Sequence, residues 1–514
     1  MTRSGTSHLN RWLHFAALAW VIAVAALEFS YVTADPDLWG HIYFGADHWQ
    51  TGDLRRTDLY SFTANRLPWI NHEWLAELIF FLIYNILGGA GLLLGKLLLG
   101  LTVVLIVWRI AARQAFHPLI GPAVFAAAVF AMKPGFMIRP QLFSFLLFIV
   151  ELAILHAYRQ GRHAWMAGLP IMMALWVNLH GGFLMGGLLA AIFILAESRP
   201  SLRSGNKQQL VALWGWGLAG ALATLLNPYG IGLHRFLAYT LSLPRSISEW
   251  APVPFPGLEF TGFKILVLFS LAALWVRRRN LLDWEPLAMI VIGTAAFCQQ
   301  RHMVFFAILA TPFLVDVFSQ RLQCFIRANP KFKLSSLAMV LIGVVFFVAA
   351  GGYVFKTVER YHRCGLKIIV NPEEYPLQAM AFLKANEFQG NLLVSFNWGE
   401  FAIWHLYPKC KVSIDGRFRT VYPQNVIDDH FIKGNDADGW QRTLSKYPAD
   451  ILLVPQQPFF QNLIQEKGPW VYVYSDSLSI IFVRDMPHNR IMIDRIKQGI
   501  MQYSGLDWKP YFPG

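Results

Sequence analysis

Four cysteines in 514 residues are too few and too scattered for a disulfide scaffold or a zinc ribbon. Charge is scarce too. Asp, Glu, Lys and Arg make up 15% of the chain, where a soluble domain carries about 25%. There is no GxxxxGK loop followed by Ser or Thr and no GxSxG elbow, and the one GxGxxG run (215–220) lies inside an apolar run and follows no strand, so it is not a dinucleotide fingerprint. Those absences remove P-loop nucleotide chemistry, Rossmann-type cofactors and serine hydrolysis. No internal repeat or low-complexity tract is present, so neither a solenoid nor a disordered tail is in view.

What the chain has instead is apolar length. It is 55% hydrophobic, with a mean hydropathy of +0.41. Runs suited to crossing about 30 Å of hydrocarbon recur at 12–33, 91–109, 118–133, 141–158, 164–177, 182–198, 210–226, 262–276, 284–298, 302–319 and 335–355. The first run is too long for a removable signal peptide and lacks a small-residue cleavage site. The segment 74–87 is short and interrupted by Glu77 and Asn85, which suits an interfacial or re-entrant helix.

The net charge of +13 sits in short loops (109–113, 159–162, 199–207, 277–279 and 321–333), so it sets orientation and does not point to nucleic acid. If 74–87 does not cross, eleven spans with a cytoplasmic N-terminus put every one of those loops inside. The C-terminus then lies outside. The same topology places Asp35, Asp37, His72, Glu73, Arg139, Asn178, His180, Asn227, His234, Arg235, Arg245, Glu249, Arg301 and His302 at outer span ends, a set suited to one polar site at the outer leaflet. From about residue 356 the apolar density falls. Strands at 367–370, 391–395, 411–414, 450–454, 470–474 and 479–483, with helices at 372–386, 400–407, 425–431 and 439–446, predict an α/β domain after a membrane module of residues 1–355.

The loop 33–74 carries the densest chemistry. Asp35, Asp37, His41, Asp47, Asp53, Asp58, His72 and Glu73 share it with Trp39, Trp49, Trp69 and Trp74, which suit anchoring at a membrane surface. Asp35 and Asp37, at the mouth of the first span, can deprotonate an acceptor hydroxyl or hold a divalent ion such as Mg or Mn; Asp-Pro also begins ordinary turns. Asn71 suits a helix cap, and His72 or Glu73 would join Asp37 in a polar cluster. Ala76 excludes a zinc HExxH helix. Arg139 and the run Gln300-Arg301-His302 offer forked donors for phosphate, against simple snorkelling to headgroups. Asn178 and His180, in a tight Gly181-Gly182 turn, can bind sugar hydroxyls or the donor phosphate. The long outer loop 227–262 holds Arg245, Glu249 and Trp250. In the C-terminal domain Asn397-Trp398-Gly399-Glu400 and Ile414-Asp415-Gly416-Arg417 each follow a strand, although Asp415-Gly416 reads more as a turn than as catalysis. Cys364 and Cys410 would pair only in an oxidising compartment.

The runs DPDLWGH (35–41), NHEWLAE (71–77), RPQLFSF (139–145), WVNLHGG (176–182), NPYG (227–230), SEW (248–250) and IDGRF (414–418) resemble a bacterial group within the GT-C membrane glycosyltransferases. That resemblance implies transfer of a sugar from a polyprenyl-phosphate carrier, at the outer face of the inner membrane, to a glycan, lipid or protein. It implies membrane lipids as neighbours. It also gives Asp37, with Asp35, the place of the family's first-loop carboxylate. Two features depart from relatives. His72-Glu73-Trp74 stands where protein O-mannosyltransferase and aminoarabinose-transferase types carry His-Pro-Pro. The oligosaccharyltransferase Trp-Trp-Asp-Tyr-Gly is only echoed by Asn397-Trp398-Gly399-Glu400. A transporter or flippase, and a non-catalytic envelope assembly protein, are the competing classes. A transporter calls for mid-membrane polar residues in broken helices, which the sequence does not show.

Overall fold

The structure is a computed structural model that describes residues 3–243, 247–431, 436–464 and 468–514. In chain order its helices are α1 (Arg3–Phe29), α2 (Leu38–Thr51), α3 (Trp74–Ala112), α4 (Ile120–Met132), α5 (Gln141–Arg159), α6 (Gly168–Trp176), α7 (Phe183–Arg203), α8 (Lys207–Ala223), α9 (Ile231–Ser242), α10 (Thr261–Val276), α11 (Trp284–Cys298), α12 (Met303–Ala328) and α13 (Ser336–Cys364). The C-terminal part adds α14 (Leu377–Ala385), α15 (Gly399–Leu406), α16 (Gln424–His430), α17 (Ala437–Lys446), α18 (Pro458–Leu463) and α19 (Arg490–Lys497). Chain contacts divide the molecule into two units. One comprises Met1–Tyr31, Leu93–Arg235 and Leu243–Gly365; the other comprises Val32–Leu92, Phe236–Ser242 and Leu366–Gly514.

The first unit is the helical bundle. Among the described residues six helical segments of the chain are long and apolar enough to cross a membrane, and Ile120–Gly135, Thr261–Val276 and Trp284–Cys298 are shorter apolar helices. Each of the eleven apolar runs read from the sequence is helical, so the multi-pass architecture stands. Segment α3 is broken at Gly88, whose φ of 61° and ψ of −159° end the helix of 74–87 before the next begins. The loop after Asn227 is not wholly irregular, because it contains α9 and a 3-10 turn at Ser248–Trp250. Buried, mostly apolar side chains line α12 from Met303 to Ser319. By contrast α13 packs mainly on α1, where Trp12 stacks on Phe347 with centroids 4.8 Å apart. Arg360, near the end of α13, donates to the Leu27 carbonyl at 2.7 Å and so holds the two helices in register.

The second unit is built on a five-stranded sheet, order β2-β1-β3-β5-β4, from β1 (Gly390–Val394), β2 (Cys410–Val412), β3 (Ile451–Pro455), β4 (Trp470–Ser475) and β5 (Ser479–Arg484). The pairs β1–β2 and β1–β3 are parallel; β3–β5 and β5–β4 are antiparallel. The runs ILLVP of β3 and IIFV of β5 are continuously apolar because both sheet faces are covered. The predicted strand 367–370 is absent. Ile369 makes only single bridges, to Thr33 and to Tyr511.

The first loop folds onto this sheet. Phe62 N–H donates to Val412 O at 3.0 Å and Val412 N–H to Tyr60 O at 3.1 Å, which closes the free edge of β2. Trp39 and Trp69 are not surface anchors. Both are buried, Trp39 against Tyr375, Phe401 and Phe512, with its Nε1 donating to Pro513 O at 2.8 Å. The four cysteines are free. Cys364 and Cys410 each donate to a nearby carbonyl, of Tyr361 and Phe388 respectively, and do not pair.

Candidate functional site

Adjacent parallel strands point their carboxyl ends the same way, so the segments that follow β1 and β2 emerge side by side. Those segments carry Gly399-Glu400 and Asp415-Gly416-Arg417, and the start of α2 brings Asp37 and Gly40 to them. Glu400 is buried, and its Oε2 accepts the Gly40 N–H at 3.0 Å. Three glycines make the approach feasible. A Cβ on Gly40 would lie 2.7 Å from Glu400 Oε1. One on Gly399 would strike the backbone of Ile414 and Asp415. One on Gly416 would lie 2.6 Å from Glu400 Oε1 and nearer still to Asp37 Oδ1. The Asp37 and Glu400 oxygens are therefore no more than about 5 Å apart. Burial, reinforced by Asp37 and Asp415, pushes the Glu400 carboxyl well above the usual carboxylate range; Arg417 opposes this and does not overcome it.

Arg417 holds the other side of the cluster. Buried, it forks onto Asp415 through Nε at 2.9 Å and Nη2 at 2.6 Å, and it reaches Asp58 through Nη1 at 2.6 Å. Its guanidinium lies about 5 Å from the rings of Phe44, Tyr60 and Trp69. Tyr422 Oη donates to Asp415 Oδ2 at 2.6 Å. The Asp415-Gly416-Arg417 run is thus a turn locally and a buried ionic knot in three dimensions. Asp58 is the residue on which it ties.

A second polar seam joins α2 to the start of α3. Gly45 lets the two helices meet, since a Cβ there would overlap Glu77 O. His41 Nδ1 sits 3.8 Å from Glu77 Oε1, and Asn71 Nδ2 donates to Glu77 Oε2 at 2.6 Å. Burial works against a charged His41, yet Glu77, Glu73 and Asp37 together raise its pKa. Its buried Nε2 makes no hydrogen bond to another described group. His72 lies 3.6 Å from Glu73, whose N–H donates to Asn71 Oδ1 at 3.2 Å, so Asn71 caps the helix entry. Asp35 Oδ1 accepts the Asp37 N–H at 3.1 Å, which makes it part of the turn into α2. No group of three His, Cys, Asp or Glu side chains among the described residues is set to hold a metal ion.

The remaining predicted residues belong to the helical unit. Arg139 pairs with Glu249, and the Arg301 guanidinium stacks 4.2 Å over Trp250, so both arginines grip the 3-10 turn Ser248–Trp250. Val253 N–H to Phe297 O and Gln300 N–H to Ala251 O, at 3.0 and 3.1 Å, fasten the same turn. His302 Nε2 bonds Gln299 Oε1 at 3.1 Å. His180 Nδ1 is 2.7 Å from Ser144 Oγ, and Asn178 donates to the Ala174 and Leu226 carbonyls at 2.8 Å. Arg245 lies outside the described residues. Neither the Glu400–Gly416 meeting nor the Asp58–Arg417 bond is visible in the sequence. Two strand-end glycines next to acids, Gly399-Glu400 and Asp415-Gly416, are the trace the sequence offers.

No protein-family model and no curated protein sequence matches this chain. Solved structures of similar shape include the apo oligosaccharyltransferase of Archaeoglobus fulgidus, 12% identical, with a TM-score of 0.51 over 92% of this chain and 74% of that one. ArnT from Cupriavidus metallidurans bound to undecaprenyl phosphate is 13% identical, with a TM-score of 0.44 over 95% of this chain and 99% of its own. At such identity the likeness is one of fold. The chain has the multi-pass GT-C fold, shared with the archaeal oligosaccharyltransferase, and carries a small C-terminal α/β domain.

Proposed function

We propose that the protein is a membrane glycosyltransferase that moves a sugar from a polyprenyl-phosphate donor to an acceptor hydroxyl at the outer face of the inner membrane. The single observation that carries this reading is the meeting of Asp37 with Glu400 over Gly416. Burial and neighbouring acids raise the Glu400 pKa, and on that ground we assign Glu400 the proton of the pair and Asp37 the role of base. In the reaction Asp37 accepts the acceptor's hydroxyl proton while that oxygen bonds to the anomeric carbon. The bond from that carbon to the phosphate oxygen breaks, and polyprenyl phosphate leaves with the electron pair. The lipid carried by ArnT is a polyprenyl phosphate, which makes that lipid class the first to try.

The test uses the purified full-length protein with a panel of undecaprenyl-phosphate sugars, following release of undecaprenyl phosphate. Wild type is expected to turn over at least one donor, and Asp37→Asn to lose about 10²-fold or more in rate, the low end of general-base contributions, while unfolding at the same temperature. An Asp37→Asn enzyme as fast as wild type would end the assignment.

A further inference from the structure

At the far ends of α10 and α12 from the Gln300–His302 turn, the helical unit holds a cavity of about 400 Å³. Arg277, Arg278, Arg279 and Arg321 line it with Asn280 and Gln320, and no acidic side chain is among its walls. Only Arg277 is neutralised. Its Nη2 donates to Asp316 Oδ2 and to Gln320 Oε1, each at 3.1 Å. Asp316 is already engaged elsewhere, accepting the Ala115 N–H at 3.0 Å. Arg278 lies 4.9 Å over the ring of Trp275 and donates to its carbonyl. Arg279 and Arg321 are exposed and make no ion pair with any described residue.

Arg278, Arg279 and Arg321 set three guanidinium groups around one hollow, where an anion rich in acceptor oxygens could engage more than one of them. Phosphate has that chemistry. Two features favour a lipid as the source of the phosphate. Both helices that frame the cavity are apolar, α12 being long enough to cross a membrane. Trp275 is 70% exposed beside Arg278, the pairing expected where a ring lies at headgroup depth. Arg321 is also about 27 Å along the α12 axis from Met303, at 1.5 Å per residue, so this site is separate from Arg301.

We propose that this cavity is a binding site for the phosphate of an anionic glycerophospholipid headgroup. The test is native mass spectrometry of the full-length protein offered an equimolar mixture of phosphatidylglycerol and phosphatidylcholine in detergent. Wild type is expected to retain phosphatidylglycerol preferentially. The double variant Arg279→Gln, Arg321→Gln should retain it less, by about fivefold for each arginine removed. Arg279→Lys, Arg321→Lys should keep most of the binding. Both positions are exposed, and if the double variant fails to fold, the single Arg279→Gln variant decides. Equal retention of the two lipids, or equal retention by wild type and variant, would overturn the site. Displacement of the lipid by millimolar inorganic phosphate would keep the anion site and overturn its assignment to lipid.

Discussion

Alanine in place of Gly416 separates the architecture of the carboxyl cluster from its chemistry. Gly416 does not have a positive φ, so its backbone accepts a side chain. The new Cβ would lie 2.6 Å from Glu400 Oε1 and closer to Asp37 Oδ1, whereas ordinary contact begins at 3.4 Å. Both carboxyl ends must withdraw by about 1 Å. They are the tips of flexible side chains, so the fold should lose only ~1–2 kcal/mol, the lower range for overpacking. A displacement of ~1 Å at reacting groups lowers rate by about 10²-fold. Gly416→Ala should therefore remain folded and turn over sugar donor poorly. Gly399→Ala should behave in the opposite sense. There the Cβ meets the backbone of Ile414 and Asp415, which cannot swing aside, and a loss above ~3 kcal/mol is expected. The assay is thermal unfolding of the detergent-solubilised protein beside the rate of undecaprenyl phosphate release. Wild-type turnover by Gly416→Ala, or equal stability of the two alanine variants, would refute this geometry.

Two further outcomes follow from the same cluster. Arg417→Met leaves Asp58 and Asp415 buried without their cation, so unfolding should come ~3–5 kcal/mol sooner; Arg417→Lys, which cannot fork onto Asp415, should rescue little of it, and chemical denaturation measures both. Glu400 has its pKa raised in the folded protein, so its contribution to stability is complete below the unfolded value of about 4.5 and is lost as pH rises toward the folded value. The slope is at most ~1.4 kcal/mol per pH unit in that window. Wild type should lose melting temperature from pH 5 to pH 8 more steeply than Glu400→Gln, and parallel curves would contradict the buried, protonated carboxyl.

Much of the architecture could be read locally. The apolar runs became helices because hydrocarbon length and helical pitch are properties of a segment. β1 to β5 fall within a few residues of the predicted strands, because short, mostly apolar runs between turn residues carry their own signal. Even the break before the second half of α3 shows in the sequence, as Gly88-Gly89. The segment 367–370 misled for the converse reason. Its residues favour an extended chain, but no neighbouring strand lies along it, and Ile369 finds only single partners.

Composition and order thus settled that this is a multi-pass protein with an α/β end, and that acids crowd its first loop. They did not settle what those acids touch. Asp58 and Arg417 are 359 positions apart, and the hydrogen bond between them exists only because parallel β1 and β2 release their following segments together and the first loop pairs with the outer edge of β2. The same assembly turned Trp39 and Trp69 inward, when their amphipathic rings suited a membrane surface equally well. A side chain's preference for burial is written in its own chemistry. The partner that makes burial of a charge tolerable comes from elsewhere in the chain, and only the closed tertiary structure chooses it.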